Sequence, residues 1–246
     1  MGKKMDYICV DLETTGLDPG KDRIIEIGAV LVKDGRICDT FESFVRPGMK
    51  LSERVRDITG ITDEMLSGEQ MISEVIREYA DFEKRSGSDT LPLLGHAVHF
   101  DYAFLKRAFV NEGMKYEREA IDTLKIARVC LSNLPSRSLS ELTRHYGICH
   151  SAHRALNDAK ATCLLYEKMW QEFKEREDAA KLFSPIPMNV HVKRQSPIRE
   201  HQKERLSKLL KRYQITPDFE LESLTRNEAD RMIDNILSQY GRDGVT

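Results

Sequence analysis

Three apolar, β-branched segments follow one another within the first 46 residues of the chain. They cover residues 6–12, Ile24–Lys33 and residues 36–46. Asp34 and Gly35 separate the last two segments and are typical of a type I′ turn, which joins antiparallel strands. The N-terminal part of the chain is therefore predicted to form an antiparallel three-stranded meander, so the fold is built on a sheet.

Helical periodicity replaces the strand pattern after residue 70. Apolar side chains at positions 71, 72, 75, 76 and 79 repeat with the spacing of an amphipathic helix. Further strands are predicted at 91–98 and 119–122, and further helices at 100–112, 122–131, 138–146 and 154–175. This order of elements predicts an α/β fold in which helices flank a mixed five-stranded sheet.

A cluster of chain-breaking residues at 184–187 precedes a basic C-terminal region. The predicted divisions are a first domain over residues 1–183, a linker over 184–198 and a small helical appendage over 199–246. Residues 193–212 contain eight basic and two acidic side chains, which gives this stretch a net charge of +6. We predict a basic amphipathic helix here, followed by a second helix that begins at a capping box formed by Thr225 and Glu228.

The overall charge excludes a histone-like nucleic-acid binder, because 38 basic residues face 40 acidic ones. The basic helix alone is open to three interpretations: contact with nucleic-acid phosphates, docking of a partner protein, or a solvated surface. No apolar run approaches the ~18 residues that span a bilayer, so no membrane partner is expected. Five widely spaced cysteines without a C-x-x-C pair are typical of reduced thiols in a cytoplasmic protein.

Acidic residues stand at the ends of two predicted strands. Asp11 and Glu13 end the first strand, and because they are two residues apart their side chains point to the same face. Asp101 follows at a predicted junction between a strand and a helix. Five residues separate His153 from Asp158, which in a helix is ~140° out of register. We therefore expect Asp158 on the helix and His153 in the loop before it, a spacing that argues against a helical zinc site.

Together these residues resemble the DEDDh family of 3′–5′ exonucleases, which includes the proofreading subunit of bacterial replicative polymerases. The resemblance covers roughly residues 5–175, and its separate motifs occur in the family's order. The matching residues are Asp11 and Glu13 in the first motif, Asp101 in the second, and His153 with Asp158 in the third. The tyrosine-type sister group has a tyrosine where this chain has Arg154, so the histidine subclass is favoured.

The resemblance implies an RNase-H-like fold and two divalent cations, Mg²⁺ or Mn²⁺. Converging carboxylates favour the same conclusion, because they repel one another unless cations neutralise them, and hard oxygen ligands select these ions. The implied metal ligands are Asp11, Glu13, Asp101 and Asp158. His153 is predicted to accept the proton of the attacking water. The implied reaction releases nucleoside 5′-monophosphates from single-stranded 3′ ends, with DNA favoured over RNA.

The resemblance also implies a set of positions that hold the terminal nucleotide. These predicted substrate-binding residues are Thr14, Thr15, Leu17, Gly60, Ile61, His96 and Phe104. Several have structural alternatives: residues 14–16 can be a plain turn, and His96 and His99 can be structural histidines. Asp122 matches a family position but also suits a helix N-cap. The expected partners are single-stranded DNA or RNA 3′ ends and, for proofreading or repair, a DNA polymerase catalytic subunit.

Two alternative functions share these features. The first is a nucleic-acid-binding scaffold or polymerase accessory subunit with weak or vestigial nuclease activity, against which the intact set of five residues argues. The second is an RNase-H-like endonuclease, against which the spacing of His153 and the Thr14–Thr15 element argue. Ala97 and Thr59 depart from the asparagine and histidine that are frequent in the family, which leaves the substrate preference open.

Overall fold

The computed structural model describes residues 5–85, 87 and 89–241. Its strands are β1 (Tyr7–Thr14), β2 (Ile24–Lys33), β3 (Arg36–Phe44), β4 (Leu93–Gly95), β5 (Glu119–Asp122) and β6 (Ile186–Pro187). They form one mixed sheet in the order β3-β2-β1-β4-β5-β6. The predicted meander is confirmed, since β1, β2 and β3 are antiparallel, whereas β4 and β5 run parallel to β1. The α/β prediction is therefore confirmed.

The sheet has one strand more than the five that we predicted. β6 lies inside the predicted linker and pairs antiparallel with Glu119 and Ala120 of β5. Proline has no backbone N–H for the ladder and is tolerated on the edge of a sheet, which is where β6 lies. The pairing depends on a partner remote in sequence, so the chain-breaking residues did not predict it. The domain boundaries at residues 183 and 198 stay a prediction.

The described residues form ten α-helices. They are α1 (Glu53–Thr59), α2 (Asp63–Leu66), α3 (Ile72–Arg85), α4 (His99–Asn111), α5 (Thr123–Cys130), α6 (Leu139–His145), α7 (Ala155–Phe173), α8 (Ala179–Leu182), α9 (Glu200–Arg212) and α10 (Arg226–Tyr240). One apolar cluster joins α3 and α4 to the sheet, and a second joins α5, α6 and α7 to its other face. Of the helices described, none is long and apolar enough to cross a bilayer.

β1 lies in the middle of the sheet and is buried on both faces. Ile8 and Val10 pack into the cluster of α3 and α4, whereas Tyr7 and Cys9 pack into the cluster of α7. Because side chains alternate along a strand, Asp11 and Glu13 lie on the α7 side. The alternation in β1 thus decides which helix faces the two acids.

The two C-terminal helices share an apolar cluster of their own. Leu206 and Leu210 of α9 pack against Ala229 and Ile233 of α10. The predicted capping box is present, because the Thr225 side chain accepts from the backbone of Glu228 while the Glu228 carboxylate accepts from the backbone of Thr225. The two predicted C-terminal helices are therefore present, and the bounds of the appendage stay a prediction.

Candidate active site

Asp11 and Glu13 lie near the end of β1, where it pairs with β2. Asp11 is opposite Gly28 and Glu13 is opposite Glu26, and the strand register becomes irregular directly after Glu13. A strand end of this kind leaves the two carboxylates aimed at one place on a rigid scaffold. The prediction from their two-residue spacing thus agrees with the observed strand.

Asp101 reaches the same place from the opposite face of the sheet. It lies in the first turn of α4 and is 4% exposed. Its Oδ1 accepts a hydrogen bond of 3.1 Å from the backbone N–H of Leu12, the residue between the two acids of β1. A carboxylate near a helix N-terminus is stabilised by the helix dipole. This bond therefore joins the second motif directly to the first.

Asp158 and His153 complete the cluster from α7. Asp158 lies in the first turn of α7, and its Oδ2 accepts a 3.3 Å hydrogen bond from the backbone N–H of His153 in the preceding loop. His153 is exposed and has a left-handed backbone, with φ of 68°. Ligand atoms of Glu13, His153 and Asp158 all lie within 4.8 Å of one another, which is close enough to hold a metal ion.

Burial and nearby negative charges raise the pKa values of three acids of this cluster, Asp11, Glu13 and Asp101. Burial, followed by the charges of Asp101 and Asp158, raises the pKa of Asp11 well above its usual range. Burial also raises the pKa of Asp101, against the hydrogen bonds that it accepts from its own N–H and from Leu12. Burial and the charge of Asp158 raise the pKa of Glu13 to about 7. Such a set of crowded oxygen donors fits divalent cations, because their charge removes the repulsion.

Glu26 holds the beginning of α7 against β2. It is fully buried, and its carboxylate accepts a 3.1 Å hydrogen bond from the backbone N–H of Ala155 and a 3.0 Å bond from Nε of Arg154. Arg154, the N-cap residue of α7, makes no side-chain cap of its own. Glu26 therefore satisfies a free N–H of the first turn, while its burial raises the pKa of the carboxyl against the hydrogen bonds from Ala155 and Arg154.

Gly28 lets the same helix approach the sheet closely. A Cβ atom built on Gly28 would lie 2.1 Å from the backbone N of Leu156, so any side chain would push α7 away from β2. Because Gly28 pairs with Asp11, this close approach sets how near the α7 acid comes to the β1 acids. Neither Glu26 nor Gly28 was predicted to contribute to the site. The available sequence signal for Glu26 was an acidic residue within the otherwise apolar strand β2.

His150 is a further residue that the sequence reasoning missed. Its Nε2 lies 2.7 Å from Oδ1 of Asp158, and its Nδ1 lies 3.3 Å from Oγ1 of Thr143. The side chain is 5% exposed. His150 thus orients Asp158 from the buried side of the cluster, whereas His153 lies on the exposed side. Only its position three residues before His153 could have indicated this role.

Of the predicted binding residues, Thr14 ends β1, and Thr15 and Leu17 lie in the loop that follows. Oγ1 of Thr14 donates to the carbonyl of Gly16 at 2.7 Å, and Oγ1 of Thr15 accepts from the backbone N–H of Arg23 at 2.9 Å. Both threonines therefore shape a turn, as in the structural alternative. Leu17 is 81% exposed and is available to pack on a base. Contact of these residues with substrate stays a prediction.

Of three further predicted binding residues, Gly60 is exposed, whereas Ile61 and Phe104 are buried. Gly60 ends α1 with φ of 67°, and Ile61 is fully buried in an apolar cluster with Ile25 and Leu66. Phe104 is 3% exposed and packs on Phe100, with ring centroids 4.9 Å apart. The Ile61 and Phe104 side chains therefore belong to apolar clusters of the core. Binding roles for these residues stay predictions.

His96 and Asp122 have structural partners around β4 and β5. The two ring nitrogens of His96 each lie 2.9 Å from a protein oxygen, one of Thr123 and one of Arg137. Burial lowers the pKa of His96. The Asp122 side chain accepts from the N–H of Leu124, so it is the N-cap of α5. These contacts favour the structural alternatives, and substrate binding by His96 stays a prediction.

The sequence profile of the RNase T exonuclease family matches residues 8–166 of the chain. The chain belongs to the DEDD family of 3′–5′ exonucleases. This span runs from β1 into α7 and contains all four acids of the cluster as well as His153. The family resemblance inferred from the motifs is therefore confirmed.

Curated relatives of this exonuclease are much longer proteins. The DNA polymerase III PolC-type of Clostridium perfringens is 34% identical over 193 residues, 77% of this chain and 13% of that protein. The DNA polymerase III PolC-type of Thermotoga petrophila is 38% identical over 172 residues, 69% of this chain and 12% of that protein. The exonuclease therefore spans about an eighth of the length of these relatives.

Solved structures share the fold. Exonuclease X in complex with 5′ overhanging duplex DNA is 26% identical, with a TM-score of 0.55, over 70% of this chain and 96% of that one. E. coli exonuclease I in complex with a dT13 oligonucleotide is 20% identical, with a TM-score of 0.62, over 71% of this chain and 43% of that one. The mixed sheet with helices on both faces is thus a known exonuclease architecture.

Proposed function

We propose that this exonuclease shortens single-stranded DNA from the 3′ end and releases nucleoside 5′-monophosphates. The observation that carries the proposal is the convergence of three elements on one place. β1 supplies Asp11 and Glu13, α4 supplies Asp101 through its bond to Leu12, and α7 supplies Asp158. Acids with raised pKa values in such a cluster are typical of a functional site rather than a structural one.

The four carboxylates would hold two divalent cations, Mg²⁺ or Mn²⁺. When bound, such cations supply positive charge that stabilises the phosphate as negative charge develops during hydrolysis. His153 lies on the exposed side of the cluster, in a loop whose backbone N–H is bonded to Asp158. From there its ring would accept the proton of the attacking water. Leu17 would pack on the terminal base.

The relatives support DNA as the substrate and proofreading or repair as the role. The curated relatives are named as DNA polymerases, and the two solved structures hold DNA. We therefore propose that the chain acts on DNA 3′ ends near a DNA polymerase catalytic subunit.

The test compares 5′-labelled single-stranded DNA and RNA of one sequence, incubated with the protein and Mg²⁺ or Mn²⁺. We expect a ladder that shortens one nucleotide at a time, faster on DNA, with 5′-monophosphates as products by mass spectrometry. Asp11→Asn should abolish the ladder, whereas Asp81→Asn, which removes an exposed acid of α3, should leave it unchanged. Absence of cleavage by a protein shown to bind the cation would overturn the proposal and favour a scaffold role.

A further inference from the structure

The helices α9 and α10 are docked on the exonuclease fold rather than tethered to it. The backbone N–H of Glu220 donates to the carbonyl of Gly48 at 2.6 Å, and the N–H of Lys50 donates to the carbonyl of Asp218 at 2.8 Å. A Cβ atom on Gly48 would lie 2.2 Å from Cβ of Ser223, so the two segments are in close contact. The position of the helical pair is therefore defined at this point.

A second contact joins α10 to the loop that carries Thr15. Nη2 of Arg23 lies 2.6 Å from Oε1 of Glu228, with side chains 19% and 12% exposed. The carbonyl of Arg23 accepts a 2.8 Å hydrogen bond from the backbone N–H of Thr15, and the N–H of Arg23 donates a 2.9 Å hydrogen bond to Oγ1 of Thr15. Glu228 belongs to the capping box of α10. The helical pair is thus anchored beside a residue that is predicted to hold the terminal nucleotide.

The two faces of α9 have opposite character. Leu206 and Leu210 are buried against α10, whereas Arg205, Lys208 and Lys211 are exposed. Within the part of the chain that the structure describes, no ion pair involves these three side chains. Exposed Glu204 lies one turn before Lys208, but the three cations outnumber it on this face, which suits a regularly spaced anion such as a phosphate backbone.

The contacts between α9 and α10 show where the basic face of α9 begins relative to the ion pair of Arg23 and Glu228. Near its first turn, Nε2 of Gln202 donates to Oδ1 of Asp230 at 2.5 Å and to the carbonyl of Arg226 at 3.2 Å. α9 therefore starts beside the first turns of α10, which also carry the anchoring Glu228. From there it extends over 13 residues, or about 20 Å. At about 3.4 Å per phosphate this length matches several nucleotides of a stacked strand.

We infer that the exposed face of α9 formed by Arg205, Lys208 and Lys211 binds the phosphate backbone of the strand whose 3′ end occupies the acid cluster. The inference rests on the proposed function and adds a second contact region to it. Binding there keeps a long strand attached while successive nucleotides are removed. Short substrates that end within the acid cluster do not use this face.

The test uses the full chain with the triple variant Arg205→Gln, Lys208→Gln and Lys211→Gln. The matched control is Lys84→Gln, Lys168→Gln and Lys174→Gln, which removes the same charge from exposed positions on or next to α3 and α7. Two quantities are measured in Mg²⁺. One is the affinity for a long strand protected by phosphorothioate linkages, over a range of salt concentrations. The other is the rate of hydrolysis of a dinucleotide.

We expect the triple variant to lose about tenfold or more in affinity for the long strand at 0.1 M salt. Its salt slope should fall by about 2, since each lost phosphate contact removes about 0.7. The triple variant should hydrolyse the dinucleotide at the rate of the unmodified protein. The control variant should match the unmodified protein in both measurements. An affinity and salt slope equal to those of the control would overturn the inference and indicate a solvated or protein-binding face. Failure of the proposed function is seen separately, because the unmodified protein would then leave the dinucleotide intact.

Discussion

The Glu26 carboxylate on β2 accepts a hydrogen bond from the backbone N–H of Ala155, 129 residues later in the chain. This bond caps the first turn of α7, the turn that carries Asp158. A buried acid of the sheet thus aligns the helix that supplies the last acid of the site. The relationship links the stability of the fold to the geometry of the chemistry.

Replacement of Glu26 should therefore affect both stability and activity. Glu26→Gln removes the negative charge from the helix N-terminus and weakens the bond to Arg154, so we expect a loss of about 1–3 kcal/mol in the free energy of unfolding. Turnover should fall as well, because α7 is less firmly placed. Glu42→Gln removes the exposed partner of the same arginine and should change stability by less than about 0.5 kcal/mol. Urea unfolding of both variants checks the difference, and equal losses would contradict it.

Gly28 should tolerate no side chain. Gly28→Ala places a Cβ atom against the backbone of Leu156, and we expect about 1–3 kcal/mol of destabilisation with a loss of turnover as α7 moves from β2. Gly68→Ala is the control, since nothing lies within 4 Å of its Cβ position. The measurement is thermal unfolding together with the rate on single-stranded DNA. Full activity of Gly28→Ala would show that the close approach is not required.

The metal-free protein should lose stability as the pH rises. Burial and the charge of Asp158 raise the pKa of Glu13 from 4.5 to about 7, so the folded chain holds this proton more tightly than the unfolded chain does. The associated stability is therefore present below pH 4.5 and is lost between pH 4.5 and about 7. The upper limit of the effect is about 3 kcal/mol.

Thermal unfolding in chelator between pH 5 and 8 checks this expectation. Glu13→Gln should flatten the pH dependence, and added Mg²⁺ should stabilise the protein more at pH 8 than at pH 5, because the cation binds deprotonated carboxylates. A melting temperature of the metal-free protein that rises through this range would contradict the assignment.

His150 should matter for cation affinity more than for the chemical step. His150→Ala removes the ring that is bonded to Asp158, and loss of such an outer contact typically costs 10–100-fold in metal affinity. We expect the Mg²⁺ concentration for half-maximal activity to rise by about tenfold, while the rate at saturating Mg²⁺ stays near that of the unmodified protein. His145→Ala, an exposed position on α6, serves as the control. An unchanged Mg²⁺ titration would show that His150 does not position Asp158.

His153 should matter for the chemical step more than for cation affinity. His153→Ala should lower the rate at saturating Mg²⁺ by about 10²–10⁴-fold, because no general base replaces the ring. The free energy of unfolding should change little, since the side chain is exposed. His191→Ala, at another exposed position, should leave the rate intact. A variant that retained full turnover at neutral pH would exclude His153 as the base.

Several features of this exonuclease are determined by the local sequence. Alternation along β1 places Asp11 and Glu13 on one face, and the left-handed φ angles of Asp34 and Gly35 agree with the predicted turn. The five-residue spacing puts His153 in the loop before the helix of Asp158. In each case the geometry follows from the repeat of a single strand, turn or helix, so nearby residues carry the information.

Other features were decided only when distant parts of the chain met. β6 formed because β5 offered a free edge, and the buried acid Glu26 acquired its role from the N–H of Ala155. In the same way Glu228 caps its own helix, as its sequence predicts, but only the docked structure pairs it with Arg23. Periodicity records which face of an element is buried, not which surface covers it. That choice depends on the packing of the whole chain, and it sets the distances within the site.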